Sequence, residues 1–351
     1  MAGGWLKRRS PQATRRGERQ VIAVPLTPAR VVEHQYWERQ CAVCRQRWTP
    51  KVDLDGQAVV GQGRLGVALL ALIASLREQG RLPIETIPWY LQTFHQLDLS
   101  VGALVRALVA VRGQPAAAPI WEQVRRSPVV HRDETGWREN GRNGYIWSVS
   151  TPDARCFPYG RRTGAMVDQG LGPDFAGVLV TDFYAAYDHY EGKHQRCWVH
   201  LLRDIHELKR QHPDDPGLGR WARQVHRLYR TAIRLKGAGR AVRERLERAL
   251  LGVAAPFARD GAAVQRVLGQ RMVDYLQELF VLVDHPGAPS DNNAAERSIR
   301  PLVTSRKISG GTRSAEGTAT KMTLATLCGT WHVRGLNSFL ACRQLLTSPQ
   351  L

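Results

Sequence analysis

The chain has 351 residues, 43% hydrophobic and 23% charged, a globular composition that excludes a disordered segment and supplies apolar material for roughly two to three cores. Fifty basic residues against 31 acidic ones leave a formal charge of +19. That balance favours a polyanionic partner, nucleic acid first, because each neutralised phosphate releases counterions. Six cysteines, of which only Cys41 and Cys44 are close in sequence, argue against a disulfide scaffold. Residues 1–20 are basic and polar, unlike a secretory signal, and the longest apolar run, residues 65–76, is too short to cross a bilayer. A cytoplasmic, nucleoid-associated protein with no membrane partner is expected.

In chain order, residues 1–30 read as a basic flexible arm, with Lys7, Arg8, Arg9, Arg15, Arg16 and Arg19 against Glu18. Such a run is either a solvated tail or a strand that tracks DNA. The segment 31–60 carries His34 and Cys41-Ala-Val-Cys44. This is half of a zinc-finger-like ligand set, and two reduced, packed cysteines are the other reading. The next segment, 61–115, is helical. Helices are expected over 88–95 and 101–111, the second capped by Ser100, with a linker at 96–99 short enough for a helix-turn-helix. Ordinary helix packing accounts for the same pattern.

From residue 128 the texture changes to β-like runs at 129–133, 145–149, 155–159 and 177–182. The first three suit a meander, and the fourth, Gly-Val-Leu-Val-Thr-Asp, suits a mid-sheet strand covered on both faces. A helical insertion at about 214–285 follows, with Trp221, Val225, Leu228, Tyr229, Ala232 and Leu235 forming one apolar stripe. The fold class expected is α/β: a mixed sheet with a helical insertion, preceded by a helical region.

Three motifs carry chemistry: His-Arg-Asp133-Glu-Thr-Gly-Trp137, Val-Thr-Asp182-Phe-Tyr-Ala-Ala-Tyr187 and Ser-Asp-Asn-Asn-Ala-Ala-Glu296-Arg297. Asp133 and Asp182 end apolar β-like runs, and Glu296 opens a helix over 294–299 after a stretch rich in capping residues. Phosphodiester chemistry needs a nucleophile activated and a leaving oxygen stabilised. Two Mg²⁺ or Mn²⁺ ions held by hard carboxylate oxygens do both. Each aspartate alone also reads as a cap or turn residue. Strand alternation turns Glu134 to the face opposite Asp133, and Asp291 reads as a helix cap. No acidic residue falls between Arg297 and Arg313, so Arg297, Arg300, Arg306 and Lys307 suit phosphate contacts. Cys197-Trp-Val-His200 reads as a packed cysteine and a hydrogen-bonded histidine, and Trp137, Trp147 and Trp198 as core.

These words, with Tyr-Ile-Trp after the first and Asp-Asn-Asn-Ala-Ala-Glu-Arg-Ser-Ile-Arg-Pro around Glu296, together resemble the insertion-sequence 66 family of transposases over most of the chain. The resemblance implies a ribonuclease H-like catalytic domain over 125–345 and Asp133, Asp182 and Glu296 as a metal-binding DDE triad. It also implies Asn292, Asn293 and Arg297 as supporting residues, and DNA cleavage followed by strand transfer at the ends of an insertion sequence. Terminal inverted repeats, target DNA and a homo-oligomer assembled on DNA are the partners it implies. Cys41 and Cys44 would belong to an N-terminal zinc region, although an upstream cysteine pair common in similar proteins is missing here. A nuclease of the same fold without strand transfer and a catalytically silent DNA-binding scaffold are the competing functions.

Overall fold

The computed structural model describes residues 26–35, 37–48, 59–61, 63–113, 115–172 and 174–347. The expected basic arm lies outside them apart from residues 26–30, and residues 49–58 of the zinc-finger-like segment do too. A small hairpin, β1 (Arg39–Gln40) and β2 (Arg47–Trp48), comes first.

Three helices follow: α1 (Val67–Glu78), α2 (Ile87–His95) and α3 (Val101–Arg112). The Ser100 side chain accepts from the Ala103 N–H at 3.2 Å, as the capping pattern predicts. Gln96 takes a left-handed φ of 51° and ends α2. The apolar face of α3, with Leu104, Leu108 and Val111, packs on Leu70 and Ile73 of α1. It also packs on residues from the far end of the chain, described below.

After α4 (Ala117–Arg125), β3 (Val129–Glu139) turns through Asn140 and Gly141 into β4 (Arg142–Ser150). Asn140 and Gly141 have φ of 49° and 76°, the paired positive values that match the twist of a two-residue hairpin. β3 therefore runs six residues beyond Asp133, where the sequence reading ended it: β4 goes on satisfying its backbone after the parallel neighbour stops. The single strand expected over 155–159 is two short ones, β5 (Arg155–Cys156) and β6 (Tyr159–Gly160), both paired with β4. Pro158, which has no N–H to give a ladder, stands between them.

α5 (Gly164–Leu171) leads to β7 (Val178–Thr181), parallel to β3, and β8 (His194–Arg196) lies parallel to β7. The order β5-β4-β3-β7-β8, with β6 also on β4, makes a mixed sheet. All four residues of β7 are buried. So are all three of β8, His-Gln-Arg, whose polarity hides it from a pattern reading.

α6 (Trp198–Gln211) starts the long helical stretch, which continues as α7 (Pro216–Arg234), α8 (Arg240–Arg259), α9 (Arg266–Asp274) and α10 (Val281–Asp284). Asp215 caps α7 by accepting from the Leu218 N–H at 2.9 Å. Trp221, Val225 and Ala232 are buried, and Leu228 and Tyr229 pack beside them, but Leu235 falls past the helix end and is exposed. These helices cover the sheet face that carries Val129, Val178 and Val180, while α4 and α5 cover the other, with Val130 and Leu179.

α11 (Asn293–Ser309) and α12 (Ala315–Val333) close over the hairpin end, where Leu302, Met322 and Ala325 meet Trp137, Ile146 and Phe157. Leu324 of α12, with Cys342 and Leu346 of α13 (Ser338–Thr347), completes the core of α1–α3. A buried ion pair, Lys321 to Glu78 at 2.8 Å, ties α12 to α1. Trp137, Trp147 and Trp198 are core residues, as expected. Among the described residues no helix is long and apolar enough to cross a membrane.

Candidate active site

The ladder between β3 and β7 pairs Val129 with Val178, Val130 with Leu179 and His131 with Val180. Each partner lies 49 positions on, and Asp182 lies 49 positions after Asp133. Continued two residues, that register sets the two aspartates level on neighbouring parallel strands. Both share the parity of Val129, Val178 and Val180, so both belong to the face under α6 and α11.

The third carboxylate arrives on α11, and Asn292 fixes where that helix sits. Its Nδ2 donates to the Arg132 carbonyl at 2.6 Å, its Oδ1 lies 3.1 Å from His131 Nδ1, and its backbone N–H donates to Cys197 Sγ at 3.3 Å. Asn292 is 1% exposed. The start of α11 is thus stitched to the residue before Asp133. Glu296 falls in the first turn, where the helix dipole favours an anion. Its Oε1 stands 3.5 Å from His200 Nε2 of α6 and accepts no hydrogen bond.

Burial, the neighbouring Glu134 carboxylate and the charges of Asp182 and Glu296 push the Asp133 carboxyl up to about 7, against the pull of a Glu134 N–H that donates to it at 2.8 Å. Burial leads because it disfavours the charged form. The three carboxylates therefore share one field. Asp182 Oδ1 accepts from the Tyr184 N–H at 2.9 Å. Among the described residues no Lys or Arg pairs with Asp133 or Asp182, and no three His, Cys, Asp or Glu side chains are grouped closely enough to hold one ion. Uncompensated hard oxygens, including the orphaned Glu296 Oε1, nevertheless suit a divalent cation in chemical type.

Glu134 is on the other face, held by Arg162 at 2.7 and 3.0 Å and by the Tyr187 hydroxyl at 3.0 Å. Arg132 is wholly buried there, donating to the Met166 carbonyl at 2.7 Å and to that of Val167, with its guanidinium over the Trp147 ring. Burial pulls it down to about 10. Of the residues read as phosphate contacts, Arg297, Arg300 and Lys307 are exposed on α11. Arg306 is turned to the sheet, donating to Thr135 Oγ1 at 3.1 Å and the Gly136 carbonyl at 2.7 Å. The Asn293 N–H donates to Asp291 Oδ1 at 3.0 Å, the capping role read for Asp291.

Cys41 and Cys44 are exposed in the turn of the β1–β2 hairpin. The Cys44 N–H points at Cys41 Sγ at 3.5 Å, and backbone N–H groups of Cys44 and Val43 draw the Cys41 thiol below its ordinary range. That arrangement favours thiolate, the form that binds metal.

The sequence reading passed over His131 and His200 as site residues. His200 was visible only as the end of a Cys-x-x-His step, and the signal that mattered was its place in the first turn of α6, behind the packed Cys197. Arg196, whose guanidinium donates to the Asp182 backbone carbonyl at 2.9 Å, left no sequence signal.

The sequence matches the Transposase IS66 family over residues 62–320, most of the chain and all three carboxylates. The chain belongs to the IS66 family of transposases. A curated relative, the uncharacterized protein y4jO of Sinorhizobium fredii (strain NBRC 101917 / NGR234), is 30% identical over 155 residues. That stretch is 42% of this chain and 46% of y4jO, so this IS66 member spans about half the length of the relative it matches.

Proposed function

We propose that the protein is a DDE transposase: a ribonuclease H-like domain over 125–345, with its helical insertion at about 214–285, that cleaves DNA at the ends of an insertion sequence and transfers the freed strand. What supports this reading is the β3–β7 ladder, whose register, carried two residues past its last pair of His131 with Val180, would set Asp133 level with Asp182, together with Glu296 at the docked start of α11. Asp133, Asp182 and Glu296 would hold Mg²⁺ or Mn²⁺, and a two-ion site supplies activation of the attacking oxygen and stabilisation of the leaving one.

The chain's own groups do the rest. Asn292 and His131 keep Glu296 at the level of Asp133, and His200 keeps a proton donor or acceptor 3.5 Å from Glu296. Arg297, Arg300 and Lys307 line a basic approach for phosphates. The helices of 61–115 and the hairpin bearing Cys41 and Cys44, with Zn²⁺ bound there, would read the terminal inverted repeats. Joining two ends calls for a homo-oligomer on DNA in the nucleoid.

The test is incubation with Mg²⁺ or Mn²⁺ and DNA carrying the terminal inverted repeats. Strand-transfer products that disappear in Asp182→Ala are expected. Cleavage without joining would replace the transferase reading with a nuclease, and DNA binding without any metal-dependent product would leave a scaffold.

A further inference from the structure

Beside the carboxylates, a cleft of about 620 Å³ opens between α11, α12, β5 and the end of α1. Four arginines line it: Arg81, Arg155, Arg297 and Arg300. Its one carboxylate, Glu78, is already paired with Lys321 at 2.8 Å, and among the described residues none of the four arginines has an ion-pair partner. Ser298, also lining the cleft, is 9% exposed and its hydroxyl has no hydrogen-bond partner. A buried hydroxyl without a partner costs free energy that a ligand oxygen would recover. Burial and the like charge of Arg297 both pull Arg155 below the usual guanidinium range, and an anion between the two would relieve that repulsion.

We infer that this cleft is a subsite for an unpaired DNA strand, its phosphates on Arg155, Arg297 and Arg300 and an oxygen on the Ser298 hydroxyl. The inference rests on the proposed DNA chemistry of the adjoining carboxylates and deepens it. Three observations choose the ligand. Arg300, one turn after Glu296 on α11, lies on the same side of that helix and also lines the cleft, so whatever fills the cleft continues a strand lying at the carboxylates. A sphere of 620 Å³ is about 11 Å across, narrower than the major groove of B-DNA alone at about 12 Å, so a duplex stays outside. A lone phosphate would leave most of that volume empty, whereas the exposed ring of Pro301 forms part of the wall, a flat apolar surface against which a base can lie.

The experiment measures binding of the full-length protein to labelled terminal-repeat DNA, blunt or with a short single-stranded overhang, in a chelator so that no strand is cut. The overhang is expected to tighten binding about tenfold, in keeping with one stacked base and its phosphate. Arg155→Gln should remove most of that gain, lower the salt slope by about 0.7 per lost single-strand phosphate, and leave blunt-duplex binding within about twofold, whereas Arg297→Gln with Arg300→Gln, which also line the approach for duplex phosphates, should weaken binding of both DNAs and of the overhung one more. Ser298→Ala should lose part of the gain while the melting temperature stays level or rises, since the unpartnered buried hydroxyl is gone. Iododeoxyuridine in the overhang should cross-link wild-type protein to peptides containing Phe157 or residues 297–305. Equal losses on blunt and overhung DNA, displacement of the overhang by millimolar inorganic phosphate alone, or cross-links mapping elsewhere would overturn the subsite. Because no cleavage is read, these outcomes are independent of Asp182→Ala, which tests the carboxylates.

Discussion

Arg196 donates from Nη1 to the backbone carbonyl of Asp182 at 2.9 Å, while its Nε reaches Glu278 Oε2 and its Nη2 reaches Asp188 Oδ1, each at 2.6 Å. The guanidinium is fully buried. Glu278, in the turn at Leu276–Glu278 between α9 and α10, also lies 2.9 Å from His194 Nδ1, whose Nε2 is 2.7 Å from Thr181 Oγ1. One insertion carboxylate thus braces both residues at the end of β7 through two basic side chains. The insertion is part of how Asp182 is positioned.

Glu278→Ala should therefore destabilise the protein by about 2 kcal/mol, because Arg196 and His194 lose a shared charged partner while Asp188 still neutralises Arg196. It should also lower strand cleavage more than DNA binding. Urea denaturation and a gel assay with the terminal repeats read the two effects. A variant with wild-type stability and wild-type cleavage would show that the brace is idle.

Asp133 gives a pH-dependent prediction. Its folded carboxyl titrates near 7 against an ordinary 3.8, so between those values the native state holds a proton that the unfolded chain has lost. Stability from this group is therefore present at low pH and is lost as pH rises through 7. In chelator, Asp133→Asn should be more stable than wild type at pH 8, by up to a few kcal/mol, with the advantage shrinking towards pH 4. Urea midpoints across that range check it, and a constant difference would remove burial and carboxylate repulsion as the cause.

Asn292→Ala removes the side chain that joins α11 to β3 and strands the Arg132 carbonyl. A loss of roughly 2 kcal/mol is expected, together with reduced cleavage, since Glu296 loses its anchor. Thermal melting compared with Asn293→Ala separates the effects: Asn293 holds Asp291 only through its backbone N–H, so its truncation should be the milder.

The cysteines separate by exposure. Cys41 should alkylate first at neutral pH, since it is exposed and its thiolate is favoured by backbone N–H groups. Cys156, which burial pushes out of reach, Cys197 and Cys342 should react only on unfolding. Mass spectrometry of timed iodoacetamide labelling measures this, and Zn²⁺ that slows labelling at Cys41 and Cys44 together would support metal there.

Much of this was open to a pattern reading because it is local. Ser100 caps α3 from three residues away, Asp182 follows a run of buried aliphatics, and Glu296 comes after a string of capping residues. Asp133 was harder: it looked like the end of a strand because apolar residues stop there, whereas the Asn140–Gly141 turn, itself a legible signal, carries β3 onward along β4. β8 has no apolar residue at all and pairs with β7 alone at the sheet edge, its side chains held by Thr181, Asp188 and Glu278. Arg196, Glu278 and His200 act through partners 8 to 96 positions away, and no periodicity records such pairings.

The core of α1–α3 is finished by Leu324, Cys342 and Leu346, and its buried Glu78 is neutralised by Lys321. As the chain leaves a ribosome, the amino-terminal helices therefore emerge long before the residues that complete them. They wait with an apolar face open until the last helix is made. A message cut short before residue 320 would yield a product that can close neither its own beginning nor the hairpin end of the sheet, which needs Met322 and Ala325, so interrupted copies should be lost to proteolysis rather than persist as fragments.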